Sequence, residues 1–123
     1  MDRKKKLLLV DDDAAVLEYL TLKLGGEFEV LSCSDAAAAL RMVRDQAPDL
    51  VICDIELPEM DGGDLSAALF ALEDRRDIPF VYLTGLLTPP DLAARGNQLA
   101  GRVAVSKQSP IQEIVERIRA QFG

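Results

Sequence analysis

Apolar residues along the chain are grouped in short continuous blocks rather than in alternation with polar ones. Five such blocks are evident: Leu7–Val10, Phe28–Cys33, Leu50–Cys53, Pro79–Leu83 and Arg102–Val105. Short unbroken apolar runs are typical of strands that are covered on both faces, as in a parallel sheet. The pattern therefore predicts five parallel β-strands.

The segments between the strands have the apolar spacing of amphipathic helices. The first helix is expected to end at the stop signal Gly25-Gly26. Its apolar stripe consists of Val16, Leu17, Leu20 and Leu24. The second helix begins at a capping residue, Ser34 or Asp35, and ends before Pro48. The third is expected from Asp64 to about Glu73.

The last two predicted helices differ in how clearly the sequence indicates them. The fourth is expected from Thr88-Pro89-Pro90 to about Gln98, but it has few large apolar residues and contains Gly96, which costs about 1 kcal/mol relative to alanine. We expect this region to be mobile. The fifth follows Pro110, a residue that suits a first helical turn. Its apolar stripe consists of Ile111, Ile114, Val115, Ile118 and Phe122.

Five strands alternating with five helices in 123 residues predict one α/β domain that spans residues 1–123. Such an alternation implies right-handed crossovers and a doubly wound parallel sheet in a three-layer (βα)5 sandwich. The usual strand order of the small form is 2-1-3-4-5. In such sheets ligands bind beyond the carboxyl ends of the strands, near the point where the strand order reverses. Polar residues at those ends are therefore the first candidates for a functional site.

Composition narrows the classes of partner and location. The chain has 14 Lys and Arg against 21 Asp and Glu, a net charge of −7, which disfavours direct contact with nucleic acid. The basic run Arg3–Lys6 is short and is expected to be a solvated flank. Cys33 and Cys53 lie in apolar blocks and are expected to be reduced, buried thiols. Because neither a secretory leader nor an apolar run of about 18 residues is present, we expect a cytoplasmic protein without a membrane span.

The first strand is followed by three consecutive acids, Asp11-Asp12-Asp13. An acid at this position commonly caps the next helix. Nucleotide-binding proteins of this architecture carry glycines here, because backbone N–H groups bind phosphate, whereas carboxylates repel it. Clustered carboxylates suit a hard divalent cation such as Mg²⁺, which keeps several of its waters. The triplet therefore predicts a metal site that makes phosphate binding possible.

Asp54 stands at the end of the third strand. A lone Asp after a strand is usually a turn or cap residue, but the residues after Asp54 are not a tight-turn sequence. Strands one and three are expected to be neighbours, which brings Asp54 near Asp11 and Asp12 in a cluster that is costly without a cation. Since a carboxylate can attack phosphorus directly, Asp54 is a candidate both for metal ligand and for nucleophile.

The fourth and fifth strands end in residues that can contact a phosphoryl group. Thr84 follows the fourth strand, and its hydroxyl can donate to a phosphoryl oxygen, with Gly85 allowing close approach of the backbone. Lys107 follows Ser106 at the end of the fifth strand, and its ammonium group can pair with Asp54 and later with the phosphoryl group. An acid pair, a third acid, a hydroxyl and an amine are thus expected at one edge of the sheet.

This ordered set of motifs resembles the receiver domain of bacterial response regulators, over essentially the whole chain. Thirty positions separate Asp54 from Thr84, and 23 separate Thr84 from Lys107. The matching segments are Leu8-Leu9-Val10-Asp11-Asp12, Asp54 with Leu57-Pro58 and Met60-Asp61-Gly62, Thr84-Gly85, and Ser106-Lys107. The resemblance implies a flavodoxin-like fold and a part in two-component signalling.

By this resemblance, Asp54 takes a phosphoryl group from a phosphohistidine on a sensor histidine kinase or a phosphotransfer protein. Asp12 and Asp54 bind Mg²⁺ directly, Asp11 acts through water, and Glu56 contributes its backbone carbonyl. The acyl phosphate later hydrolyses, so the protein catalyses only its own phosphorylation and dephosphorylation and is not otherwise an enzyme. The signal passes by conformational change to an output domain or protein, and homodimers through the fourth and fifth helices occur in the family.

Two positions depart from the family pattern. Members usually have proline directly after the lysine, often in a cis bond, whereas this chain has Gln108. The aromatic residue that normally lies three positions before the lysine is replaced by Ala104. The usual coupling between Thr84 and that aromatic ring is therefore expected to be weakened or rerouted. We expect the signal to use the segment from Leu86 to Gly101 instead.

Three other functions share part of this pattern. A haloacid-dehalogenase phosphatase also uses acids, a hydroxyl and a lysine, but it needs its nucleophile in the first motif and an acid pair after the lysine, where only Glu113 and Glu116 occur. A flavodoxin-like cofactor binder needs a glycine- and hydroxyl-rich loop in place of the acidic triplet. A degenerate receiver that acts only as a protein interaction module is the closest alternative, given Ala104 and Gln108.

Overall fold

The structure is a computed structural model that describes residues 3–57, 78–99 and 101–122. Its strands are β1 (Lys6–Val10), β2 (Glu29–Cys33), β3 (Leu50–Asp54), β4 (Phe80–Thr84), β5 (Gln98–Leu99) and β6 (Arg102–Ser106). Its helices are α1 (Ala14–Leu24), α2 (Ala36–Gln46), α3 (Pro89–Ala93) and α4 (Ile111–Ala120). The helix predicted from Asp64 to Glu73 lies outside the described residues.

The strands form one sheet of order β2-β1-β3-β4-β6-β5. The first five strands in this order are parallel to their neighbours, and β6 corresponds to the fifth strand of the prediction. The predicted order 2-1-3-4-5 is thus confirmed. Among the described residues the sheet has one strand that was not predicted, β5, which has two residues and pairs antiparallel with β6 at the sheet edge.

The predicted fourth helix is shorter than expected and ends at Ala93 rather than near Gln98. The backbone φ angles of Gly96 and Asn97 are 72° and 57°, in the left-handed region that ends a helix. These two residues turn the chain back, so that β5 pairs with β6 where a longer helix was expected. Thr88 caps the short helix by accepting a hydrogen bond from the Asp91 N–H.

Apolar side chains cover both faces of the sheet. As a result, every residue of the central strands β3 and β4 is buried. On one face the buried residues of α2 and α3 join the core: Ala36, Ala39, Val43 and Leu92. On the other face those of α1 and α4 do so: Leu20, Leu24, Ile114 and Ile118. The described residues therefore form the predicted three-layer α/β sandwich, which leaves the strand ends as the place for polar chemistry.

The helix boundaries follow from capping side chains. Asp13 caps α1 by accepting from the Ala15 N–H at 2.9 Å, and Asp35, rather than Ser34, caps α2 by accepting from the Ala38 N–H at 2.7 Å. None of the helices in the described ranges combines the length and apolar character that a membrane span requires.

Both cysteines are free thiols, as expected, but only one is fully buried. Cys53 lies in the core, whereas Cys33 is half-buried. Burial raises the pKa of the Cys33 thiol to about 11, so this thiol stays protonated and weakly reactive near neutral pH.

Candidate functional site

The predicted site residues lie together at the carboxyl edge of the sheet. Asp11 directly follows β1, Asp54 ends β3, Thr84 ends β4, and Lys107 directly follows β6. The strand register places these ends side by side. Val10 pairs with Cys53, the residue before Asp54, and Thr84 pairs with Ser106, the residue before Lys107. The strand order reverses at β1 and β3, which is where this class of sheet binds ligands.

Three carboxylates form the centre of the site. Asp11, Asp12 and Asp54 each offer one oxygen, and these oxygens all lie within 4.8 Å of one another. Asp11 and Asp54 are buried, with exposed fractions of 1% and 7%, whereas Asp12 faces solvent. Burial raises the pKa of the Asp11 carboxyl, while Lys107 and the Asp13 N–H act in the opposite direction. Carboxylates this close together repel one another, and a bound cation reduces that repulsion.

Lys107 bridges the two buried carboxylates. Its Nζ lies 2.7 Å from Asp11 Oδ2 and 3.0 Å from Asp54 Oδ2. Burial lowers the pKa of this ammonium group, but the two carboxylates outweigh burial and raise the pKa overall. Lys107 therefore stays charged and partly neutralises the cluster. The sequence predicted its pairing with Asp54 but not its shorter contact with Asp11.

Asp54 and Thr84 each accept a hydrogen bond from the backbone N–H of the residue two positions further along. Asp54 Oδ1 accepts from the Glu56 N–H at 2.9 Å, and the Glu56 side chain is exposed. Thr84 Oγ1 accepts from the Leu86 N–H at 3.1 Å, which leaves the hydroxyl proton free to donate elsewhere. A Cβ on Gly85 would meet Lys107 Cδ at 3.5 Å, an ordinary contact, so the described residues leave room for a side chain there.

Ala104 and Gln108, the two positions that depart from the family pattern, both have defined neighbours in the structure. Ala104 is fully buried on β6 beside Tyr82, its register partner on β4, and both belong to the same core cluster. A bulky ring on β4 thus accompanies the small residue on β6. Gln108 donates its N–H to the hydroxyl of Ser106 at 3.0 Å, and Ser109 donates its N–H to the Ser106 carbonyl. Ser106 therefore shapes the loop after Lys107.

Ser106 is a residue of this site whose part was not predicted from the sequence. Its side chain is buried, and its Oγ donates to the Leu87 carbonyl at 2.7 Å in the loop after Thr84. The available signal was a small polar residue at the end of an otherwise apolar strand. Such a residue is buried at little cost only when its hydroxyl is hydrogen-bonded.

Comparison with known proteins identifies the family of the chain. A family model for the response regulator receiver domain matches residues 7–119. The chain belongs to this family. Response regulator receiver domains are signalling domains rather than metabolic enzymes, so the phosphatase and flavodoxin-like alternatives fall away. The geometry of the acidic cluster, the hydroxyl and the lysine is consistent with membership.

Individual relatives agree with the family match. The chain is 35% identical over 120 residues to the DNA-binding response regulator MtrA of Mycolicibacterium paratuberculosis, a match that covers 97% of this chain and 52% of that protein. The chain thus spans about half the length of the curated relatives it matches.

Solved receiver structures have the same fold. The signal receiver domain of an HD domain-containing protein from Pseudomonas fluorescens Pf-5 superimposes with a TM-score of 0.80 at 27% identity, covering 98% of this chain and 95% of that one. A CheY-like response regulator receiver domain protein from Methanospirillum hungatei JF-1 gives 0.79 at 26% identity, covering 97% and 94%. The flavodoxin-like fold expected from the sequence is thereby confirmed.

Proposed function

We propose that residues 1–123 form a single phosphoacceptor receiver domain, which takes a phosphoryl group onto Asp54 from a histidine kinase or a phosphotransfer protein. The observation that carries this proposal is the position of Asp54, whose carboxylate lies 3.0 Å from the Lys107 ammonium group and belongs to the same acidic cluster as Asp11 and Asp12. The Thr84 hydroxyl ends the neighbouring strand. A nucleophile, a cation and a hydroxyl donor thus share one edge of the sheet.

The donor set of the acidic cluster fits Mg²⁺. All three side chains offer carboxylate oxygens, the ligand type that Mg²⁺ prefers, and these oxygens lie within 4.8 Å of one another. We propose that Asp12 and Asp54 bind the ion directly, that Asp11 acts through water and that Glu56 contributes its backbone carbonyl. When bound, Mg²⁺ reduces the repulsion among the carboxylates and stabilises negative charge on the transferring group.

The transfer itself is a displacement at phosphorus. An Asp54 carboxylate oxygen attacks, a new O–P bond forms, and the P–N bond to the histidine of the donor breaks, with its electron pair staying on the imidazole nitrogen. Lys107 pairs with the incoming negative charge, and the Thr84 hydroxyl donates to a phosphoryl oxygen. Attack by water on the acyl phosphate later releases inorganic phosphate and restores the Asp54 carboxylate.

Incubation with acetyl phosphate and Mg²⁺ tests this function, with intact mass as the readout. We expect one phosphoryl adduct per chain, and we expect EDTA to prevent its formation because the acidic cluster then lacks its cation. Absence of an adduct in the presence of Mg²⁺ would favour the degenerate receiver that acts only as an interaction module. That alternative rests on Ala104, which leaves β6 without an aromatic ring, and on Gln108, which stands where the family usually has proline.

The partners follow from the same proposal. A sensor histidine kinase or a phosphotransfer protein supplies the phosphoryl group, and an output domain or protein receives the signal, with the exchange taking place in the cytoplasm. The net charge of −7 argues against direct binding of this domain to nucleic acid. A homodimer through α3 and α4 has little structural support, because α3 has five residues and only Leu92 is buried in it.

The lifetime of the phosphorylated state is expected to depend on Glu56 and Leu86. Each lies two positions after a site residue, and each side chain is exposed, 72% so for Leu86, where the attacking water approaches. We expect Glu56→Ala and Leu86→Ala to change the dephosphorylation rate several-fold, where tenfold corresponds to about 1.4 kcal/mol in the barrier. Loss of the phosphoryl adduct over time, followed by intact mass, measures this rate.

The control for this prediction is Glu18→Ala, which removes an exposed acid from α1. Its phosphorylated lifetime is expected to equal that of the parent, and all three variants should keep the stability of the parent. Equal lifetimes in Glu56→Ala, Leu86→Ala and the parent would contradict the prediction.

A further inference from the structure

The hydroxyl of Ser106 connects the two loops that border the site. Ser106 Oγ donates to the Leu87 carbonyl at 2.7 Å in the loop after β4, and it accepts from the Gln108 N–H at 3.0 Å in the loop after β6. The side chain of Ser106 is fully buried. A hydroxyl has one proton to donate, so the Leu87 carbonyl takes the whole of its donor capacity. The two loops are therefore joined through one buried oxygen.

The loop after β4 is held at two adjacent points. Thr84 Oγ1 accepts from the Leu86 N–H, and Ser106 holds the carbonyl of the next residue, Leu87. Under the proposed function, a phosphoryl group on Asp54 would draw the Thr84 hydroxyl toward itself and weaken the first of these two points. The Lys107 N–H also donates to the Thr84 carbonyl at 2.7 Å, at the base of the two loops. The second point then limits how far the loop moves beyond that base and connects its movement to the Lys107 loop.

Leu87 continues from this loop into the segment beyond it. Its side chain packs against the core cluster that contains Ala104 and the buried Leu92 of α3, and Leu99 of β5 packs against the same cluster. A shift of the Leu87 backbone therefore changes the packing of both α3 and β5. Ala104 has no ring that could carry this shift by a change of rotamer, whereas the hydrogen-bonded backbone connects these segments directly among the described residues.

We infer that Ser106 is a positioning residue that couples the phosphoacceptor site to α3 and β5, through its hydrogen bonds to the Leu87 carbonyl and the Gln108 N–H. This inference rests on the proposed function, because it concerns the structural response to phosphorylation of Asp54. Ser106 itself does not touch the phosphoryl group. Its part is to make the loops after β4 and β6 change together.

Amide hydrogen exchange, with and without beryllofluoride and Mg²⁺, tests the coupling in the whole chain. In the parent we expect exchange across residues 86–99 to change about tenfold on beryllofluoride addition, and the Gln108 amide to change with it. In Ser106→Ala the change across 86–99 should fall below about threefold, where tenfold corresponds to about 1.4 kcal/mol. Uptake of a phosphoryl group from acetyl phosphate should persist in this variant.

Two further variants separate coupling from packing. Ser106→Thr keeps the hydroxyl on a β-branched side chain that suits a strand and should restore the response of the parent. Ser109→Ala is the matched control, because Ser109 is also buried in this loop but its hydroxyl has no hydrogen-bond partner among the described residues. Its response should equal that of the parent.

The outcomes distinguish this inference from the proposed function. A parent that forms no adduct with acetyl phosphate contradicts the proposed function. Adduct formation together with an equal exchange response in Ser106→Ala and the parent overturns the coupling, as does loss of the response in Ser106→Thr. If Ser106→Ala fails to fold, amide exchange in the parent tests the coupling by itself. On beryllofluoride addition, an unchanged Gln108 amide together with a changed segment 86–99 would overturn the coupling.

Discussion

The Asp54→Asn variant is expected to take up no phosphoryl group from acetyl phosphate in the presence of Mg²⁺. An amide nitrogen or oxygen is a far poorer nucleophile toward phosphorus than a carboxylate, and the substitution also removes one charge of the proposed metal site. The side chain keeps its shape, and an amide oxygen can still accept the hydrogen bond from the Glu56 N–H. We therefore expect loss of the adduct without loss of the fold, measured by intact mass and circular dichroism.

Asp45→Asn is the matched control for this variant. Asp45 is an exposed acid near the end of α2, and the same change in charge there leaves the acidic cluster intact. Its phosphorylation should proceed at the rate of the parent. An adduct that forms on Asp54→Asn to the same extent as on the parent would place the phosphoryl group on another residue and reject the proposed role of Asp54.

The position of the site could be predicted from the sequence because it depends on the strands alone. Each strand is a continuous apolar block, and parallel strands bring their carboxyl ends to one edge, so the residues after those blocks had to meet. Asp54, Thr84 and Lys107 lie there for this reason. The order of the sheet was predicted as the usual order of a small doubly wound sheet, which needs no knowledge of individual side chains.

Features set by local backbone geometry or by single side chains were not predicted. The strand β5 has two residues, too few to produce an apolar pattern, and the turn before it depends on the left-handed backbone of Asn97, which a non-glycine residue rarely adopts. The link from Ser106 to Leu87 joins positions 19 apart, and its existence depends on the path of a loop. The contact between Lys107 and Asp11 depends on the direction of a long side chain.

Lys107→Met is expected to lower both the phosphorylation rate and the stability in the absence of Mg²⁺. The ammonium group lies 2.7 Å from one buried carboxylate and 3.0 Å from another, so its removal leaves two negative charges facing each other. Removing one partner from a fully buried ion pair costs about 3–5 kcal/mol. Because the Lys107 side chain is 21% exposed, solvent screens part of the charge repulsion. We therefore expect the free energy of unfolding to fall by about 2 kcal/mol.

The same variant is expected to gain more stability from Mg²⁺ than the parent does. In the parent, the ammonium group and the metal ion both attract the oxygens of Asp11 and Asp54, so binding of the ion must work against a charge that is already in place. Without Lys107 the ion meets an uncompensated cluster and binds more tightly. A ligand at a hundredfold excess over its Kd stabilises the folded state by about 2.7 kcal/mol, enough to offset the loss.

Urea unfolding with Mg²⁺ and with EDTA measures both effects, and Lys4→Met is the matched control. Lys4 is exposed and, among the described residues, donates to the Gly25 carbonyl. It precedes β1, whereas the acidic cluster lies beyond the opposite end of that strand. It should show the Mg²⁺ response of the parent. If Lys107→Met has the same free energy of unfolding as the parent in EDTA and the same response to Mg²⁺, then Lys107 does not neutralise the cluster. In that case the acids must already be screened by solvent, and the proposed competition between ammonium group and metal ion is wrong.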